Sequence, residues 1–247
     1  MNVIVKISII IFLSYATSGC SKDDSCGCFD GTGKDITVER QVGEVRNIHL
    51  SDNINLMLVQ DTTCALFITA GENIIKGIET RFENGTVFIS NNNRCNWART
   101  YKRKINAVLK IKHLNKIHYT GHGTISTLNT LTTDSLRIDS WDGAGDISIA
   151  IIAQQTMFNL HLGTSNLIAV GITGKNLIYS SAYGKVDCSE LYTPFAFVTN
   201  RGTNDCYVNS TEHLIANIRY IGNIYFTGNP HIIETNYYGI GKVLQVD

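Results

Sequence analysis

A column of glycines recurring about every 20 residues limits what this chain can fold into more than any other feature. The segments Gly-His-Gly-Thr-Ile, Gly-Ala-Gly-Asp-Ile, Gly-Thr-Ser-Asn-Leu, Gly-Lys-Val-Asp-Cys, Gly-Thr-Asn-Asp-Cys and Gly-Asn-Ile-Tyr-Phe begin at Gly121, Gly143, Gly163, Gly184, Gly202 and Gly222. Four residues after each glycine stands an apolar side chain: Ile125, Ile147, Leu167, Cys188, Cys206 and Phe226. Each unit carries a second apolar run, such as Leu136-Arg137-Ile138 or Phe195-Ala196-Phe197. The apolar spacing is two, not the 3.6 of a helix. A glycine turn and short strands repeated at this period are what a parallel β-helix-like solenoid requires. A sandwich of short strands is the alternative, but its turns have no need to hold glycines in one column. Composition agrees: Ile, Thr and Asn make up about a third of the 247 residues and Pro occurs twice, which favours strands and turns over helices. The expected fold class is therefore all-β.

The N-terminus reads as an address. Met1 to Tyr15 has the charge of Lys6 and the apolar core Ile7-Ser8-Ile9-Ile10-Ile11-Phe12-Leu13. That is a signal peptide, too short to span a bilayer. Thr17-Ser18-Gly19-Cys20 resembles a bacterial lipobox, with Thr17 where Leu is usual, so Cys20 is the expected lipidation site. Ordinary secretory cleavage beside an incidental cysteine is the competing reading. Ser21-Lys22-Asp23-Asp24-Ser25 is similar to the surface-export signal of one group of Gram-negative lipoproteins. The expected location is the outer membrane, facing outward and held by lipid. The expected organisation is a signal peptide over 1–19, a tether over 20–35, an N-terminal β region over 36–118 and glycine-registered repeats over 119–247. No linker separates the last two, which read as one domain.

Removing Cys20 leaves six cysteines, an even number that in an exported protein points to disulfides. Cys188 and Cys206 fall in one column of adjacent repeats. Stacked strands lie about 4.8 Å apart, within the Cα separation a disulfide accepts, so these two are expected to pair. Cys64 and Cys95 lie in neighbouring strand–loop elements and form a second candidate pair. Cys26-Gly27-Cys28 has no histidine or second Cys pair near it, so zinc is not expected.

Over 36–118 the strands look longer and hairpin-linked. Arg46 to Leu50 and Ile54 to Leu58 alternate apolar and polar, as half-buried strands do. Asn84-Gly85 between two apolar runs is a strong type I′ hairpin signal.

Here, from Lys104 to Ile152, the chain resembles the putative auto-transporter adhesin, head GIN domain family of exported bacterial proteins. The resemblance rests on Leu114-Asn115-Lys116-Ile117, Gly121-His122-Gly123-Thr124-Ile125, Leu136-Arg137-Ile138-Asp139 and Gly143-Ala144-Gly145-Asp146-Ile147. Upstream, Ile54-Asn55-Leu56 and Asn84-Gly85-Thr86-Val87 sit where that family has its early strand and hairpin. It implies β-helix-like architecture and a cell-envelope location for about residues 45–240, and it brings no ligand.

No catalytic, cofactor or metal site is legible. Gly121-His122-Gly123 matches one short element of β-helical polygalacturonases, and a polysaccharide hydrolase or lyase is the alternative function. Glycoside hydrolysis needs two carboxyl groups, yet Ser90 to Thr133 contains no Asp or Glu, and Arg137-Ile138-Asp139 only approaches the Arg-Ile-Lys of those enzymes. Asp139, Asp142 and Asp146 lack a calcium-loop spacing and read as solvated turn residues. No zinc-type histidine pair, nucleophile elbow or phosphate loop appears. One charge pattern remains. Arg94, Arg99, Lys102, Arg103 and Lys104, with Trp97 and Tyr101 among them, form a local cationic and aromatic stretch in a chain of zero net charge. Such a stretch suits an anionic glycan or another envelope or host surface ligand. With no global basic charge, nucleic acid is not expected. The sequence thus points to a non-catalytic binding or adhesion module.

Overall fold

A computed structural model describes residues 31–93 and 104–246. In its first half are β1 (Asp35–Arg40), β2 (Asn47–Asp52), β3 (Ile54–Gln60), β4 (Ala65–Gly71), a 3-10 turn at Ile75–Gly77, β5 (Ile78–Glu83), β6 (Thr86–Asn91) and β7 (Ile105–Ile111). Then come β8 (Lys116–Gly121), β9 (Ile125–Thr127), β10 (Leu131–Ser140), β11 (Ile147–Leu160), β12 (Leu167–Ser180), β13 (Val186–Cys188) and β14 (Leu191–Tyr192). Last are β15 (Phe195–Asn200), β16 (Cys206–Asn209), β17 (His213–Ile218), β18 (Ile224–Thr227), β19 (Ile232–Tyr237) and β20 (Val243–Gln245). The 20 strands belong to one sheet wound into a solenoid.

Successive coils pair in parallel along two long faces. On the first, β6, β2, β8 and the second halves of β10, β11 and β12 are followed by β15, β17 and β19. On the second, β7, β3, β9 and the starts of β11 and β12 are followed by β13, β16, β18 and β20. Between the faces the inward residues make one continuous core, from Ile48, Leu50, Ile54 and Leu56 to Leu214, Ala216 and Ile224, all buried. At one corner Tyr119 reaches inward instead. Its hydroxyl donates to the carbonyl of Gly123 at 2.5 Å and accepts from the amide of Gly145 at 3.1 Å, tying two coils together. Burial pushes the Tyr119 phenol up to about 12, so it stays a neutral strut.

The glycines form two columns, not one. Ile125 pairs with Ile147, Ile147 with Leu167, Leu167 with Val186, Val186 with Cys206 and Cys206 with Ile224. Hence Gly184 and Gly222 are equivalent to Gly145, two residues beyond the column of Gly121, Gly143, Gly163 and Gly202. Gly143 and Gly163 meet in a parallel bridge. A Cβ on Gly145 would run into the carbonyl oxygen of Gly123 in the preceding coil, and one on Gly184 into that of Ser165. Because strands alternate with period two, a slip of two residues leaves inward residues inward. A single-column alignment therefore picks core positions correctly while misplacing two of them.

Cys188 is one of those two. It pairs with Val208, whereas Cys206 pairs with Val186. The expected same-column placement of Cys188 and Cys206 is thereby overturned, and both are buried free thiols. Cys64 is also free; its candidate partner Cys95 lies outside the described residues.

The N-terminal strands differ from expectation too. The Asn84-Gly85 hairpin is present, with positive φ of 48° and 75° and β5 antiparallel to β6. However, β2 and β3 do not form a hairpin. Only Asn53 separates them, and Asp52 turns the corner at φ 64°. One residue is too few for the usual two-residue reversal. The chain bends instead, and β2–β3 becomes a coil stacked between β6–β7 and β8–β9. Parallel stacking thus begins at residue 47, and β8 runs across the 118/119 division. Antiparallel pairing closes this end, through β1 on β4 and β4 on β7.

Candidate binding face

The outer side of the first long face carries the densest chemistry among the described residues. Register aligns Lys116 with Arg137, and His118 with Asp139 and Asn159. His49 stands opposite His118, and Tyr179 opposite Asn159. Alternation points all of these outward, and coils about 4.8 Å apart bring residues 20 positions distant into contact.

Asp139 sits at the centre and is buried, with its side chain only 4% exposed. Arg137 Nε donates to both carboxylate oxygens, at 2.9 and 2.8 Å. Asn159 Nδ2 donates to Oδ1 at 2.8 Å, and Lys116 Nζ lies 3.1 Å from Oδ2. Burial works to raise the Asp139 pKa, but the hydrogen bonds from Asn159, Arg137 and Lys116 outweigh it and hold it below the ordinary value. Expectation placed Asp139 among solvated turn residues; it lies in β10 instead, and only Asp142 and Asp146 are exposed. The reason is register, which supplies Lys116 and Asn159 from the coils on either side. Lys116 and Arg137 remain 43% and 48% exposed. The carboxylate fixes one side of each cation and leaves the other toward solvent.

Aromatic rings surround this cluster. Trp141 stacks on His161 with centroids 3.9 Å apart and planes 11° from parallel, and it stays 42% exposed. His161 lies 3.9 Å from Asp139 Oδ1. His49 packs edge-on against His118 at 4.4 Å and tilted against Phe88 at 5.4 Å. Arg81 lies over the ring of Phe88, 4.4 Å from its centroid. Burial first, then neighbouring charges, lowers the pKa of His49 and His118; for His161 burial outweighs the pull of Asp139. The three imidazoles are neutral near pH 7. Farther along the same face, Met157, Leu177, Phe197 and Ile215 continue the lane of Lys116 and Arg137 as an apolar stripe.

Of the residues read from sequence as the anionic-ligand site, Arg94, Trp97, Arg99, Tyr101, Lys102 and Arg103 lie outside the described residues; Lys104 is exposed, just before β7. Acid-free in sequence, the 90–133 stretch is not acid-free in space. Lys110 Nζ meets Asp61 at 2.9 Å, and Lys116 meets Asp139. The cluster around Asp139 was not legible in the sequence because Lys116, Asp139 and Asn159 come from three different strands, β8, β10 and β11. The one available signal was a polar or aromatic residue recurring at the repeat spacing: His118, Asp139, Asn159 and Tyr179.

Fold and face together define a β-solenoid whose closed apolar interior serves as a scaffold for one decorated outer lane. The chain belongs to the family described as putative auto-transporter adhesin, head GIN domain, whose model matches residues 45–230. Membership implies an exported, surface-related protein. The fold is similar to a putative adhesin of Bacteroides fragilis NCTC 9343, with a TM-score of 0.82, 24% identity and coverage of 87% of this chain and 99% of that one. A putative adhesin of Parabacteroides distasonis ATCC 8503 matches at 0.69 with 18% identity, covering 87% and 98%. A protein of the same organism described as a putative lipid binding protein matches at 0.64 with 17% identity, covering 87% and 98%. No curated protein matches the chain.

Proposed function

We propose that this protein is a non-catalytic lipoprotein of the outer membrane, held by lipid on Cys20 and displayed outward. Its solenoid binds acidic glycans on the outer first face. One observation carries the ligand class: Asp139 holds Lys116 and Arg137 in place without covering them, beside the exposed ring of Trp141 just past the end of β10. Trp141 follows Arg137 by four positions, which is at most about 13 Å of extended chain at about 3.3 Å per residue. That span suits a short oligosaccharide whose acidic group meets the cations while a sugar ring stacks on the indole. Family membership supports a binding or adhesion role. Against catalysis, the one deeply buried carboxylate of the face already accepts three donors and has no free oxygen to act as base. The cations and aromatics of 94–104 belong to this proposal as a second contact region.

The test is titration of the full chain with chondroitin sulfate, polygalacturonate and neutral dextran. Both acidic polymers should bind and dextran should not, with affinity falling as salt rises because exposed charges are screened beyond about 8 Å at physiological ionic strength. Lys116→Ala with Arg137→Ala should weaken binding and flatten its salt dependence. Trp141→Ala should weaken it with the salt slope kept. Replacing Arg94, Arg99 and Arg103 by Ala measures the second region. Equal binding of dextran, or an unchanged salt slope in the double variant, refutes the acidic-glycan reading.

A further inference from the structure

A cavity of about 1130 Å3 lies along β5, bounded on one side by β1 and the 3-10 turn and on the other by the outward residues of β2 and β6. Its apolar wall is a continuation of the core. On β4, Leu66, Ile68 and Ala70 are fully buried, and their register partners on β1 are Arg40, Val38 and Ile36. These positions have the inward parity of a strand, yet Ile36 remains 38% exposed. Ile75 and Ile78 form the facing wall.

The charged groups at this cavity are unbalanced. Arg40, Lys76 and Arg81 line it with one carboxylate, Glu79, and Arg81 is paired with Glu83 just outside at 3.1 Å, so the excess positive charge sits at Arg40 and Lys76. Arg40 is positioned by its own donors, with Nη2 3.2 Å from the carbonyl of Ile75 and 3.5 Å from that of Ile78. This places a cation where the apolar wall ends. Arg81 stands at the opposite wall, over Phe88. An apolar trough with a few convergent cations is the arrangement of a small-molecule site. A sugar would leave Ile36 and Val38 uncovered, and a neutral alkane would leave Arg40 and Lys76 without an anion.

We propose that this groove binds a single-chain anionic amphiphile. The acyl tail lies along Ile36, Val38, Ile75 and Ile78, and the carboxylate or phosphate head sits at Arg40, Lys76 and Arg81. The groove adjoins the glycan face, sharing His49, Phe88 and Arg81 with its margin, but it differs in ligand class, and the variants that test it lie apart from Lys116, Arg137 and Trp141, so its failure leaves the glycan reading untouched.

The test uses the full chain and three probes: palmitate, hexadecanol and inorganic phosphate. Palmitate should bind saturably at one per chain, and shortening the acid should cost roughly three- to fourfold in affinity per methylene removed from the groove. Hexadecanol should bind about tenfold more weakly, the effect of losing ionic contact with solvent-screened cations. Phosphate should not displace palmitate. Lys76→Glu, at an exposed side chain, should weaken palmitate and leave hexadecanol unchanged, while Ile36→Glu should weaken both. Should Ile36→Glu fail to fold, the chain-length series and Lys76→Glu still decide. Affinity independent of chain length, displacement by phosphate, or Lys76→Glu binding palmitate as tightly as the parent chain overturns the proposal.

Discussion

Asp139 shows what one residue of a stacked strand owes to neighbours 20 positions away. Its carboxylate accepts from Arg137 on its own strand and from Asn159 on the next coil, and pairs with Lys116 on the one before. Replacing it by Asn removes the charge and leaves two cations facing each other. Hydrogen bonds to charged groups are worth about 1.5–3 kcal/mol each, but both cations are half-exposed and regain water, so the expected loss is about 1–2 kcal/mol. The pH dependence has two parts. His49, His118 and His161 titrate below the ordinary 6.5. Their depressed values mean stability is fully present above pH 6.5 and lost as pH falls through the folded values. Asp139, also depressed, adds stability present above its ordinary 3.8 and lost as pH falls through its folded value. Thermal melts from pH 8 to pH 3 should therefore decline in two stages. His118→Gln should shrink the first and Asp139→Asn the second; an unchanged profile in both variants would falsify this account. Sequence reading found the charges of this site but not their partners, because spacing along a chain does not reveal which strands will stack.

At the scale of the strands, legibility depended on what the sequence signal encodes. Alternation in Arg46–Leu50 and Ile54–Leu58 identified β2 and β3 correctly, because it reports burial of one side. It said nothing of pairing, and the two strands became a coil instead of a hairpin. The Asn84-Gly85 turn was legible because its chemistry specifies the backbone directly: both residues must take positive φ. The glycine repeat gave the solenoid and its period, yet its register slipped by two at Gly184 and Gly222, since two glycine columns lie two residues apart. Cys188 and Cys206 test that register. Burial raises the Cys206 thiol to about 12 and the Cys188 thiol higher still. At pH 8 fewer than about one in a thousand such thiols is ionised, and the thiolate is the reactive form. Iodoacetamide should leave both unmodified in the folded chain and label both after denaturation under non-reducing conditions. Recovery of a peptide containing both residues joined by a disulfide would instead restore the single-column register.

For the molecule as a whole, the proposed attachment through lipid on Cys20 predicts where the protein sediments. No helix among the described residues is long and apolar enough to cross a membrane. The solenoid's core side chains point inward and are packed, while its first outer face carries Lys116, Arg137, Asp139 and three histidines beside the apolar stripe of Met157, Leu177, Phe197 and Ile215. In the proposed function, attachment rests on Cys20, which follows Thr17-Ser18-Gly19. Acyl chains on a cysteine contribute about 0.8 kcal/mol for each buried CH₂, and stable anchoring takes more than one chain. Cys20→Ser removes every such chain at once and leaves the folded domain intact. The expected outcome is a shift of the protein from the membrane pellet to the soluble fraction, with the same melting temperature as a chain released by proteolysis near residue 30. If the variant still sediments with membranes after a high-salt wash, the lipid is not the anchor. If it sediments only at low salt, the cations of the first face and of 94–104 hold it electrostatically, since that attraction is screened by salt. Outward display is tested on the unmodified chain by protease shaving of intact cells. Loss of the domain from cells that keep their periplasmic markers supports the reading of Lys22-Asp23-Asp24 as an export signal, and full protection argues against it.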